Sequence, residues 1–129
     1  MNRNTDYINY RLTRAFETFD EALILAENKK WNATINRLYY ASFYAVSALL
    51  LKSGLDSSSH DGVRTQFGLH FVKTGLIDKE KGRLFTKLFD FRQKGDNGDM
   101  FDFDEEIVQP LINQTKNFID DIVSLANSN

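Results

Sequence analysis

The sequence predicts an all-α protein, an antiparallel up-and-down bundle of four to five helices formed by one domain over residues 1–129. Three observations support this prediction. Hydrophobic residues make up 42% of the 129 residues and include 11 Phe and 5 Tyr, which is enough for a core and excludes a disordered chain. A single Pro and 7 Gly leave long segments free to be helical. In those segments apolar residues recur at the spacings of a helix.

The first two predicted helices are long and follow each other closely. The first spans residues 7–28, and its apolar face is formed by Leu12, Ala15, Phe16, Phe19, Ala22, Leu23 and Ala26. The second spans residues 31–53 and ends at Gly54, a residue suited to a left-handed helix end. Apolar residues surround nearly its whole circumference, which indicates a central helix or one that also faces a partner.

Three further helices are predicted after the Ser-rich turn at residues 57–59. They span residues 61–73, 79–94 and 104–126, and Asp104 is suited to cap the last one. Residues 95–99, with the sequence GDNGD, predict a turn or mobile loop, because Gly and Asn tolerate positive φ. Pro110 lies inside the last helix and predicts a kink there, or a helix start one turn later.

Charge and composition exclude several classes of function. The chain has no Cys, which excludes a disulfide framework and Cys-ligated zinc or iron–sulfur sites. Its formal net charge of −2 argues against duplex DNA as a ligand, since duplex binding needs a basic surface. Residues 38–51 are the most apolar stretch and are too short and too polar to span a membrane. Residues 1–20 lack the apolar segment of a secretory signal, so we expect a cytoplasmic protein.

Arg37, Tyr40 and Tyr44 share one face of the second predicted helix, because they follow each other at helical spacing. A guanidinium beside two phenols can hold a phosphate and stack a base. The alternative is a seam of the bundle, in which the two rings pack and Arg37 pairs with a carboxylate of the next helix. The spacing is compatible with both interpretations.

His60 and Arg64 lie one turn apart at the start of the third predicted helix, and Gly62 between them permits close approach by a ligand. A histidine titrates near neutrality and a helix start attracts anions, so the pair predicts a small phosphate site. The alternative is that His60 caps the helix and Arg64 is a surface charge.

Arg92 and Asp96 lie where the fourth predicted helix meets the segment at residues 95–99. A rigid scaffold often presents functional groups at such helix ends, so both residues are candidates for ligand binding. Asp96 and Asp99 supply too few oxygen ligands for a hard divalent cation, and we expect neither a metal site nor a cofactor. The chain also lacks a glycine-rich phosphate loop, HExxH and a nucleophile elbow, so the sequence leaves enzymatic activity open.

Four motifs taken together resemble the HEPN domain family, in particular small stand-alone prokaryotic members. They are NRLYYASFYA at residues 36–45, HDGVR at 60–64 with Phe67, FVKTG at 71–75, and Phe91-Arg92. They occur in the expected order and cover nearly the whole chain.

The resemblance implies a helical bundle that pairs into a homodimer through its long helices and accompanies a nucleotidyltransferase, often as a toxin–antitoxin or regulatory pair. It also implies that some relatives are metal-independent endoribonucleases, which use an Arg followed a few residues later by a His. Arg92 matches that arginine, but Asn97, Gly98 and Asp99 stand at the histidine positions. None of these three is an imidazole base.

We therefore expect a binding or regulatory module without catalysis, with nucleotide or single-stranded RNA as the ligand. Its predicted polar groove is lined by Arg37, Tyr40, His60, Arg64 and Arg92. The alternative is a dimeric endoribonuclease in which Arg92 steadies the phosphate and His60 or Asp96 manages protons. A third hypothesis is an interaction protein whose polar seam only fixes the register of the dimer.

Overall fold

A computed structural model describes residues 3–55, 57–98 and 102–128, and these residues form helices without β-strands. The elements are α1 (Arg3–Glu27), α2 (Trp31–Lys52), α3 (His60–Phe67), a π-helical turn (Gly68–Val72), α4 (Lys79–Asn97) and α5 (Glu105–Asn127). The predicted all-α class is confirmed. None of the helices in these ranges combines the length and the apolar character needed to span a bilayer.

The central helix is α2, which is buried on nearly every side and packs against α1, α3, α4 and α5. The N–H of Phe103 donates to Oδ1 of Asn32 at 2.8 Å, so the starts of α2 and α5 lie together. Lys52 Nζ contacts the carbonyl of Ser128, so their ends also lie together. Because α1 and α4 run in the opposite direction, the bundle has the predicted up-and-down order.

Two left-handed residues close α1 and α2. Gly54 has a φ of +75°, and the N–H of Leu55 donates to the carbonyl of Leu50 at 2.8 Å, as predicted for a glycine helix end. Lys29 adopts a φ of +59° at the end of α1, where the N–H of the next residue donates to the carbonyl of Leu25 at 2.9 Å. The left-handed turn at Lys29 gives the short connection that places α2 along α1, and Gly54 turns the chain out of α2 toward α3.

The prediction of a loop at residues 95–99 is wrong for residues 95–97, because α4 continues to Asn97. Asn36 of α2 donates to Oδ2 of Asp96 at 3.2 Å and holds this last turn against the bundle. A Cβ at Gly95 would lie 3.3 Å from the Phe103 ring, so this glycine serves close packing and not a turn. Asp99 lies outside the described residues.

The third predicted helix is confirmed in its extent, since α3 and the π-helical turn together cover residues 60–72. Its second part is not α-helical: α3 ends at Phe67, and in the π-helical turn the N–H of Lys73 donates to the carbonyl of Gly68, five residues back, at 2.8 Å. The predicted cap Asp104 is confirmed, since its Oδ1 accepts from the N–H of Ile107 at 3.0 Å. Because α5 starts at Glu105, the later start expected from Pro110 is wrong.

The predicted buried face of α1 is too wide. Leu12, Ala15 and Phe19 are buried, but Phe16 is 42% exposed and Leu23 is 38% exposed. The reason is that α1 packs mainly against the single helix α2, so only a narrow stripe of α1 is covered.

Candidate functional site

Polar and aromatic side chains meet where α2 faces α3 and the second half of α4. We call this group the polar aromatic site; it consists of Asn36, Arg37, Tyr39, Tyr40 and Phe43 from α2, His60 from α3, and Phe89, Arg92 and Asp96 from α4. Because the sequence separates these residues by up to 60 positions, the site depends on the packing of α3 and α4 onto α2.

Arg92 lies at the centre of this site, with its guanidinium among three rings. Its Cζ is 4.9 Å from the centroid of Tyr39 and 5.5 Å from those of Tyr40 and Phe89. Nη1 donates to the Tyr40 hydroxyl at 3.2 Å and lies 3.9 Å from Oδ2 of Asp96, beyond hydrogen-bond distance. The side chain is only 16% exposed, and within the described residues its buried Nε has no hydrogen-bond partner. Among the described residues the guanidinium of Arg92 thus has no carboxylate at hydrogen-bond distance.

His60 is the second polar group that folding brings to this site. Its Nδ1 is 2.7 Å from the hydroxyl of Tyr39, and its ring stacks on Phe43 with 4.5 Å between centroids. Burial raises the pKa of Tyr39, so this hydroxyl stays protonated at neutral pH. Burial, and then the charge of Arg92, lower the pKa of His60. The imidazole is therefore neutral near pH 7.

A chain of hydrogen bonds ties the edge of the site to α1. Arg37 donates from Nε and Nη2 to Oδ1 of Asn36 at 3.0 and 2.7 Å, and from Nη1 to Glu21 at 3.2 Å. The amide of Asn36 in turn donates to Asp96. Arg37 thus pairs with a carboxylate of the preceding helix, not of the next one, and it positions Asn36. Arg92, by contrast, has its nearest described carboxylate oxygen at 3.9 Å.

The structure separates the remaining predicted residues from the centre of the site. Arg64 pairs with Asp61 at 3.0 Å and lies 4.0 Å above the ring of Phe89, so it borders the site. The ring of Tyr44 faces Arg14 of α1 instead, with 5.3 Å between its centroid and Cζ of Arg14. His60 does not cap α3.

The cap of α3 is Ser59, whose Oγ accepts from the N–H of Gly62 at 2.8 Å. The helix start predicted as a phosphate site is thus already occupied by a side chain of the protein. Its histidine instead turns toward α2, where it meets Tyr39.

Sequence reasoning missed the contributions of Asn36, Tyr39, Phe43 and Phe89 to the site. Tyr39 and Phe43 lie one turn apart, a spacing that could have indicated a shared face. No local signal indicates that Phe89 lies beneath two arginines. Within the described ranges, no group of three or more His, Asp and Glu residues is arranged to hold a metal ion.

The model of the HEPN domain matches residues 8–125 of the sequence. The chain belongs to the HEPN domain family. A UPF0332 protein of Thermotoga maritima is 42% identical over 125 residues, which cover 97% of this chain and 95% of that protein. "Putative toxin MJ0605" of Methanocaldococcus jannaschii is 38% identical over 84% of this chain and 80% of its own length. "Putative toxin MJ0142" of the same organism is 27% identical over 84% of this chain and 76% of its own length.

The positions at which the family resemblance implies a histidine hold other residues in this HEPN domain. Asn97 is exposed at the end of α4, and Gly98 follows it without a side chain. The imidazole at the polar aromatic site is His60 at the start of α3, where it shares Tyr39 with Arg92. An arginine and a histidine are thus brought together in this HEPN domain without the sequence motif.

Proposed function

We propose that this protein is a HEPN-type toxin or regulatory module whose polar aromatic site binds a phosphate of a nucleotide or single-stranded RNA. The observation that carries the proposal is Arg92, a largely buried cation among three rings whose Nε has no partner within the described residues. Buried charges in proteins are normally paired, and a planar guanidinium matches phosphate oxygens well. A phosphate that contacts the guanidinium would pair this charge.

The rings around Arg92 favour a nucleotide over a free inorganic anion. Of these rings Tyr40 is half-buried, so its face or edge remains partly accessible beside the guanidinium. Aromatic side chains next to an arginine are a common way to hold a base beside its phosphate. The net charge of −2 supports a local contact of this kind over the broad basic surface that duplex DNA needs.

We further propose that the whole chain acts as one cytoplasmic domain, forms a homodimer, and works with a nucleotidyltransferase subunit. Family membership supports the partner, as does the word toxin in the names of two relatives. The exposed apolar side chains of Phe16, Leu23 and Ile24 on α1 support a further interface.

Thermal unfolding tests the proposed binding. A nucleotide or single-stranded RNA at a hundred times its dissociation constant should stabilise the fold by about 2.7 kcal/mol. Arg92→Ala should remove the shift, whereas Arg83→Ala, which changes an arginine of α4 that is 70% exposed, should retain it. The absence of a shift with every nucleotide and RNA in the panel, or an equal shift with Arg92→Ala, would reject the proposal.

A second candidate function is RNA cleavage, and the closeness of His60 to Arg92 favours it. When the ring proton is on Nδ1, His60 donates to the Tyr39 oxygen and Nε2 carries a lone pair. Nε2 could then accept the proton of a ribose 2′-hydroxyl while the 2′-oxygen attacks a phosphate held by Arg92. The bond from phosphorus to the 5′-oxygen of the next nucleotide breaks, and that oxygen takes a proton from water, which leaves a 2′,3′-cyclic phosphate.

Electrophoresis of the RNA after each binding experiment separates the two functions. Intact RNA in every sample supports the binding module. Cleavage that disappears in both Arg92→Ala and His60→Gln supports the nuclease, and an RNA with 2′-deoxyribose at the cleaved position should then remain intact. Cleavage that persists in both variants places the activity elsewhere.

A further inference from the structure

A groove lies beside the polar aromatic site, between the start of α1, the second half of α2 and the segment before α3. Its volume is about 700 Å³, and its lining includes Tyr7, Tyr10, Arg11, Phe43, Tyr44 and Ser57. This is within the range of small-ligand sites in proteins.

The lining of the groove is unusually rich in accessible tyrosine. Tyr7 is 49% exposed and Tyr10 is 63% exposed, and Tyr44 is half-buried. Large rings of this kind are costly to leave in water, and contiguous exposed aromatic surface commonly marks a binding surface. Their hydroxyl groups keep the surface partly polar.

The rings of the groove are held in place by two arginines. Arg14 lies over the ring of Tyr44 with 5.3 Å between Cζ and the centroid, and its Nη1 pairs with Glu17 at 3.3 Å. Arg11 lines the groove and donates from Nη1 to the carbonyl of Ser47 at 3.1 Å. Among the described lining residues the charge of Arg11 is matched by that of Asp6, so the rings and not a net charge mark this groove as a binding surface.

Phe43 connects the groove to the polar aromatic site. One side of its ring stacks on His60 with 4.5 Å between centroids, and the same residue lines the groove. The ring of Tyr44 lies next to it, with 6.4 Å between the centroids of Phe43 and Tyr44. A chain molecule whose phosphate reaches Arg92 could therefore continue past His60 and Phe43 onto the tyrosines without leaving the surface of α2.

We propose that this groove binds unpaired bases of single-stranded RNA, next to the phosphate that Arg92 receives. This inference rests on the proposed function and narrows its ligand from nucleotides in general to a single strand longer than one nucleotide. Aromatic rings stack on the face of any base, whereas the bases of a duplex are already stacked on each other. Recognition in the groove is accordingly tolerant of sequence and selective against duplexes.

Two oligonucleotides of equal length test the groove by fluorescence anisotropy: a short single-stranded RNA and the same ribose-phosphate chain without bases. Tyr10→Ala should weaken binding of the RNA about tenfold, the effect of losing one stacked base. The same variant should leave binding of the abasic chain unchanged. Tyr10→Phe keeps the ring and should bind the RNA like the wild type. Leu76→Ala removes a side chain that is 59% exposed elsewhere and is the matched control.

Three outcomes would overturn the inference, and they are distinguishable. If Arg92→Ala leaves RNA binding intact, the proposed function fails and the groove proposal fails with it. If Arg92→Ala weakens binding but Tyr10→Ala does not, only the groove proposal fails. If sedimentation shows that Tyr10→Ala turns a dimer into a monomer with unchanged RNA affinity, the groove is an interface between two copies and not an RNA site.

Discussion

Two aromatic clusters adjoin at Tyr39, and they differ in chemistry but not in ring geometry. The phenylalanine cluster consists of Phe67, Phe71, Phe85 and Phe118, and neighbouring centroids are 5.5 to 6.2 Å apart. In the polar aromatic site the rings of Tyr39 and its neighbours on α2 and α4 are 5.1 to 5.9 Å apart. Ring spacing therefore does not distinguish a core from a candidate site.

The polar atoms among the rings make the difference. Phe85 and Phe118 are buried and pack on each other and on Phe67, whereas the other cluster holds the guanidinium of Arg92 and the imidazole of His60. Tyr39 belongs to both: its ring stacks on Phe85 at 5.9 Å and its hydroxyl contacts His60. The two regions should respond differently to the same kind of substitution.

The largest effect is expected in the phenylalanine cluster. Phe118 is fully buried, so Phe118→Ala should lower the free energy of unfolding by about 3–5 kcal/mol through lost burial and a new cavity. Chemical denaturation measures this loss. Phe16→Ala on α1 is the control and should change stability by about 0.5 kcal/mol or less, because that ring is already partly in water. Equal losses in both variants would contradict the assigned burial.

A smaller effect is expected where the clusters meet. Tyr39→Phe keeps the ring against Phe85 but leaves Nδ1 of His60 without its hydroxyl partner, so we expect a loss of about 1 kcal/mol. Tyr10→Phe removes a hydroxyl from an exposed ring and should leave stability unchanged. If Tyr39→Phe is as stable as the wild type in denaturant titrations, the hydrogen bond to His60 contributes nothing to the fold.

The smallest effect is a dependence on pH that only the polar aromatic site should show. The pKa of His60 is lower in the folded protein than its ordinary value of 6.5, so the unfolded chain binds more protons. Stability should therefore be complete above pH 6.5 and fall as the pH drops below it. Thermal unfolding between pH 5 and 8 should show a weaker decline in His60→Gln than in the wild type. Identical profiles would show that His60 does not titrate as assigned.

Sequence periodicity was sufficient to predict which segments form helices, but not where each helix starts and ends. Apolar spacing predicted the five helices, and Gly54 and Asp104 marked two of their ends, because these signals are local. The end of α4 was misread, since the turn preference of residues 95–97 is overcome by a contact between Asn36 and Asp96 on different helices. Periodicity also identified a face of α1 without showing how far α2 covers it.

The candidate site was predictable in its residue types and not in its arrangement. Arg92 and His60 stood out because a guanidinium and an imidazole carry chemistry wherever they lie. Their meeting at Tyr39 depends on how α3 and α4 pack on α2, which no local pattern contains. Tyr44 shows that a shared helix face does not imply a shared site. It lies on the same face of α2 as Tyr40, but its ring contacts Arg14 of α1.

The polar aromatic site and its hydrogen-bond network draw side chains from four helices, from Glu21 in α1 to Asp96 in α4. A nascent chain cannot assemble this arrangement until α4 has left the ribosome. A protease that separates α4 from the rest would likewise dismantle it. An activity that depends on this site therefore requires the intact folded molecule, and neither the nascent chain nor its cleaved fragments can carry it.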